Sequence, residues 1–65
     1  MITVNGKQEE FVKVIDLQTY LQQHNYPLTK IAVELNGNII PKAKYSETML
    51  NLNDKLEIVT FVGGG

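Results

Sequence analysis

KLEIVTFVGGG, residues 55–65, is the stretch on which the reading of this chain turns. Side chains of an extended strand point alternately to its two faces, so Leu56, Ile58 and Thr60 share one side and Glu57, Val59 and Phe61 the other. The alternation predicts a final strand over residues 55–62. Leu56 and Ile58 belong on an inner face, beneath a covering helix. Glu57 marks the opposite face as solvated, which leaves Val59 and Phe61 as apolar residues on a wet surface. Single exposed apolar residues are common. Here the pair runs straight into three glycines, Gly63, Gly64 and Gly65. A side-chain-free lead of this kind can enter a channel in which any Cβ would clash. It presents the carboxylate of Gly65 as the distinctive reactive group. Activated as an acyl-adenylate, that carboxylate becomes an electrophile open to a sulfur nucleophile. Val59 and Phe61, with Val62 beside them, then read as a docking patch for whatever receives the tail.

Working back from that strand, the chain opens on Ile2-Thr3-Val4, apolar–polar–apolar, followed by Asn5-Gly6. Asn-Gly between extended runs predicts a hairpin, because a type I′ turn needs positive φ at both central residues. The return strand is expected over residues 8–14. Asp16 reads as the N-cap of a helix over residues 17–25, with Leu17, Tyr20, Leu21 and His24 on one stripe and Pro27 beyond its end. His24 on that stripe is expected to be partly buried filler, and Tyr20, Tyr26 and Tyr45 to be packing residues with a wet hydroxyl. Ile31-Ala32-Val33-Glu34-Leu35 is the next strand, inner face Ile31, Val33 and Leu35. Asn36-Gly37-Asn38 turns it into a short strand at Ile39-Ile40 that Pro41 ends. Residues 42–49 have no strong period and read as a loop with at most a helical turn. Residues 51–54 are turn chemistry, with Asn53 able to take positive φ. The order is hairpin, helix, strand, short strand, strand: an α+β arrangement, a mixed sheet with one helix packed on one face. The passage from the second strand through the helix predicts a parallel neighbour for the strand that follows.

A chain of 65 residues is a single domain. The absence of cysteine removes disulfides, thiolate metal sites and a cysteine nucleophile, so apolar packing must hold the fold. With one histidine, a zinc site is not expected. Six lysines, no arginine and seven acidic residues leave a net charge of -1, and the lysines are scattered, which argues against nucleic-acid binding. No apolar run approaches the ~18 residues of a membrane span, and no signal-peptide pattern opens the chain, so a cytoplasmic protein off the membrane is expected. Glu9 and Glu10 are adjacent on a strand and point to opposite faces, which argues against an acid–base pair.

Three segments carry a resemblance: Ile2-Thr3-Val4-Asn5-Gly6; Ile31-Ala32-Val33-Glu34-Leu35-Asn36-Gly37 with Ile40-Pro41; and the stretch from Asp54 to Gly65. Together they resemble the ThiS-like sulfur carriers of thiamine biosynthesis, members of the ubiquitin-like β-grasp group. The resemblance implies a β-grasp domain over residues 1–62, a sheet of four to five strands, and a flexible glycine tail over 63–65. It implies a carrier rather than an enzyme, with no bound cofactor. An E1-like adenylyltransferase (ThiF-like) uses ATP on the carboxylate matching Gly65, and a cysteine desulfurase or sulfurtransferase supplies the sulfur. A thiazole synthase (ThiG-like) consumes the resulting thiocarboxylate. Gly64 and Gly63 match the threading part of the tail. The outer sheet face that meets the activating enzyme maps onto Ala32, Glu34, Glu57, Val59 and Phe61.

The sequence departs from the family pattern at Asn53-Asp54, where Gly-Asp is usual, and at Lys42 and Tyr45, where Arg and a following Trp are usual. Asn tolerates the left-handed region, so the turn is expected to survive; Lys42 keeps the charge but loses the bidentate fork. Lys42 or Lys44 would then steer an acidic partner only as point charges. Two other readings share the fold: the small subunit of molybdopterin synthase, whose chains run longer, and a non-covalent β-grasp interaction module with an unimportant tail. No side-chain constellation supports a small enzyme.

Overall fold

The computed structural model describes residues 1–61; Val62 and the three glycines, and with them the expected tail and its boundary, lie outside the described residues. Among the described residues seven strands form, β1 (Ile2–Val4), β2 (Lys7–Glu9), β3 (Ile15–Asp16), β4 (Ile31–Leu35), β5 (Asn38–Ile39), β6 (Met49–Leu50) and β7 (Lys55–Thr60), with one α-helix, α1 (Leu17–Gln23). Five of them make one sheet in the order β2-β1-β7-β4-β5, while β3 and β6 pair as a separate ribbon. The last strand in sequence thus lies at the centre of the sheet, parallel to β1 and antiparallel to β4.

Both hairpins use the turn that the sequence predicts. Asn5 and Gly6 have φ of 50° and 82°, and Asn36 and Gly37 have φ of 52° and 87°. These are type I′ turns of two residues, since Val4 pairs with Lys7 and Leu35 with Asn38. Asn38 is therefore the first residue of β5 rather than part of the turn. Asn53 takes φ of 71°, so the turn before β7 survives without glycine.

The inner face of the sheet and α1 enclose the core: Ile2, Val4, Ile31, Val33, Leu56 and Ile58 from the strands, and Leu17, Tyr20 and Leu21 from the helix, with Tyr45 and Leu50 closing it. Each fully buried aliphatic side chain contributes roughly 1.5–3 kcal/mol relative to exposure. Asp16 caps α1 by accepting a hydrogen bond from the Thr19 N–H at 2.9 Å. That bond to Thr19 holds the Asp16 carboxyl below its ordinary pKa.

Several expectations are corrected. The return strand ends at Glu9, and beyond it only Phe11 is half-buried while Val12 and Val14 are exposed; pairing stops because nothing lies outside β2 to hold a longer edge. The helix ends at Gln23, and His24 is its C-cap, exposed, with its ring 4.2 Å from that of Tyr20. One turn past Leu21, the stripe has already left the core. The Tyr20 hydroxyl has a protein partner: it donates to the Glu9 carboxylate at 3.1 Å, and burial together with that charge raises its pKa. Tyr45 is buried, and burial raises its pKa as well. Residues 42–47 form a 3₁₀-helix that sends Tyr45 into the core, and Met49–Leu50 pair with β3. Finally, β4 is not the neighbour of β2. The two run in the same direction, but β1 and β7 lie between them, and the parallel pair is β1 with β7.

Candidate functional site: the outer face of the sheet

The face of the sheet turned away from α1 is built by the register of β4, β5 and β7. Ala32 pairs with Val59, Glu34 with Glu57, and Glu34 on its other side with Ile39. Directly opposed residues project to the same side, so these five form one surface. Of them Ala32, Glu34, Ile39 and Val59 are exposed and Glu57 is half-buried. Val59 is 59% exposed and Ile39 77%, large values for aliphatic residues. Together with Val33 they line a shallow depression of about 120 Å³.

Phe61 continues the face. Its N–H donates to the Lys30 carbonyl at 2.7 Å, one step past the Ile31–Thr60 pair, so the ladder persists to the last described residue. The phenyl ring is 53% exposed. Ala32, Glu34, Glu57, Val59 and Phe61 are therefore brought together on one surface, as their alternation predicts. Val62 and the residues expected to carry the chemistry, Gly63, Gly64 and Gly65, lie outside the described residues. Ile39 was missed by sequence reasoning, although the signal was present. A two-residue turn at Asn36-Gly37 forces Leu35 against Asn38 and hence Glu34 against Ile39.

Two asparagine side chains add to the ladders that hold β7. The N–H of Ile58 donates to Asn5 Oδ1 at 2.7 Å, and the N–H of Lys55 donates to Asn36 Oδ1 at 2.8 Å. Asn36 also donates through Nδ2 to Asp54 at 2.9 Å, and Asp54 accepts from the Asn51 N–H at 2.7 Å. The two Asn-Gly turns thus clamp the central strand from both flanks.

A second concavity, of about 290 Å³, lies between α1 and the segment after β2; Glu9, Glu10, Phe11, Tyr20 and His24 are among its lining residues. It sets no nucleophile against a base: the Glu9 carboxylate there is engaged by the Tyr20 hydroxyl. No cluster of metal-ligating side chains occurs among the described residues. Lys42 and Lys44 lie in the segment packed against α1 rather than on the outer face, and Lys44 is within 4.0 Å of Glu47. No helix among the described residues is long and apolar enough to cross a membrane.

A five-stranded mixed sheet with its last strand central and one α-helix on one face is the ubiquitin-like β-grasp architecture. The crystal structure of the thiamine biosynthesis protein ThiS from Geobacter metallireducens shares it, with a TM-score of 0.79 and 27% identity over 98% of this chain and 97% of that one. More particularly, the family model described as ThiS matches residues 2–65, and the chain belongs to the ThiS family. It is 38% identical to the sulfur carrier protein ThiS of Bacillus subtilis over 66 residues, covering 100% of both chains. It is also 38% identical over 64 residues to a thiazole synthase of Paramagnetospirillum magneticum, of which it spans only 20%.

Proposed function

We propose that this protein is the sulfur carrier that supplies the thiazole ring of thiamine, a co-substrate of other enzymes rather than an enzyme itself. The observation that carries the reading is the family match over residues 2–65, which includes the glycine end as well as the folded part. Supporting it, a Bacillus protein of the same length class bears the name of sulfur carrier, and a chain like this one forms part of a thiazole synthase in Paramagnetospirillum.

In this reading the Gly65 carboxylate attacks the α-phosphorus of ATP in an E1-like adenylyltransferase, and pyrophosphate leaves. The terminal sulfur of a persulfide carried by a cysteine desulfurase or sulfurtransferase attacks the acyl carbon, and AMP leaves with the electron pair of the broken C–O bond. A thiol then reduces the S–S bond of the resulting acyl disulfide, leaving as a disulfide with the sulfur donor. The thiocarboxylate so formed donates its sulfur to a thiazole synthase. Gly63 and Gly64 provide a lead free of side chains, and Ala32, Glu34, Ile39, Glu57, Val59, Phe61 and Val62 form the docking surface. ATP is bound by the activating enzyme and not by this chain, and all these steps belong to the cytoplasm.

Mass spectrometry tests the reading. After incubation with ATP, cysteine, a desulfurase and the E1-like enzyme, the intact mass should rise by the difference between sulfur and oxygen. A mass that never changes would sink the carrier function. Deletion of Gly64 and Gly65 should abolish transfer while leaving the folded domain intact.

A further inference from the structure

The outer face carries a feature that its apolar residues do not explain. Hydrogen bonds from Asn36 N–H to the Lys55 carbonyl and from Phe61 N–H to the Lys30 carbonyl set the alternation along the β4–β7 ladder. Two-residue steps from either one make Glu34 and Glu57 a hydrogen-bonded pair, with Cα atoms about 5.5 Å apart. Two carboxylates directly opposed on one face repel and weaken the sheet. Among the described residues no cation lies within 4.0 Å of either carboxylate; the ion pair present is Lys44 with Glu47. Lys55 shares the face, two residues before Glu57, but it comes within 4.0 Å of neither carboxylate.

Resting on the carrier reading above, we propose that Glu34 and Glu57 together receive one arginine of the activating enzyme, seated in the depression walled by Ala32, Ile39 and Val59. Three observations point the same way. The pair is anionic and uncompensated, so its complement is a cation. The two residues are directly opposed in the ladder, so a planar guanidinium with five donors can reach both carboxylates where a compact ammonium spans them less well. The apolar wall excludes water once covered, which strengthens the charge-assisted bonds formed there. The position is also constrained by the chain itself. Phe61 lies on this face, and Gly65 is four residues further along the sequence. Under the carrier reading, an enzyme that takes the Gly65 carboxylate is tethered to the strand that carries Glu57.

The test is steady-state adenylation of the carrier by its E1-like enzyme, with wild type, Glu34→Gln, Glu57→Gln and the double variant compared at low and high salt. The double variant should raise KM for the carrier about tenfold or more with kcat little changed, and its KM should lose most of its salt dependence. Its thermal midpoint should stay level or rise, because the substitution removes a repulsion. That combination separates an interaction role from a structural one. If wild type and double variant are adenylated with the same KM and the same salt dependence, the arginine seat is overturned while the carrier reading stands. If wild type itself is never adenylated, the carrier reading falls and this proposal with it.

Discussion

Replacement of Asn5 by alanine tests the idea that the first turn does more than reverse the chain. Val33 and Ile58 sit at a non-hydrogen-bonded position of the β4–β7 ladder, so the Ile58 N–H faces β1. β1 has ended at Val4 by that level, and Asn5 Oδ1 supplies the acceptor instead, at 2.7 Å. Asn5→Ala leaves a half-buried donor at the centre of the sheet without its partner, which costs roughly 1–3 kcal/mol. It also places a Cβ without a compensating polar group at φ of 50°, adding about 1 kcal/mol. The sum, about 2–4 kcal/mol, is a large share of the roughly 3–10 kcal/mol available to a domain of this size. Asn5→Gly removes the acceptor but not the tolerance for positive φ, so it should cost about 1 kcal/mol less than alanine. Urea unfolding followed by circular dichroism reads the difference. With a slope near 1 kcal/mol per molar, the alanine midpoint should fall by about 2 M or more, with the slope unchanged. An alanine midpoint within about 0.5 M of wild type would refute the latch, and a glycine variant as damaged as alanine would refute the backbone term.

Leu56→Ala empties a fully buried position between β1 and β4 and should cost about 2–5 kcal/mol, read as loss of the cooperative transition near room temperature. Asp16→Ala should lower the thermal midpoint while Asp16→Ser largely restores it, since serine also accepts at an N-cap. Because the folded Asp16 carboxyl titrates below its ordinary value, its contribution is whole at neutral pH and fades as pH falls below ~4; wild type and Asp16→Ala should therefore converge in acid. Phe61→Asp should weaken docking to the activating enzyme, seen as a raised KM, with little change in melting because the ring is already 53% exposed. Unfolding by that variant would show that Phe61 faces the core.

Much of the site was legible before any coordinates. The alternation through Glu57, Val59 and Phe61 put those residues on one solvated face, and the Ala32–Glu34 alternation did the same for β4. Ile39 needed one more step, the register that a two-residue turn imposes. Where the reading failed, a local pattern continued past the end of its tertiary support. The stripe on α1 runs on to His24, but the helix ends at Gln23, and the exposed ring is left 4.2 Å from that of Tyr20. The segment 42–49 has no period because it is neither strand nor α-helix for long enough, yet it delivers Tyr45 and Leu50 into the core.

By itself, then, the sequence determined what a few neighbouring residues can decide through φ, ψ and side-chain period: the two Asn-Gly turns, the Asp16 cap, the faces of β1, β4 and β7, and a side-chain-free end. Tertiary structure alone decided which strands became neighbours. The insertion of β7 between β1 and β4, the latch from Asn5 to a residue 53 positions away, and the opposition of Glu34 to Glu57 all join distant segments. The free energy of closing those long loops is recovered only when the whole sheet packs against α1, and no local pattern records it.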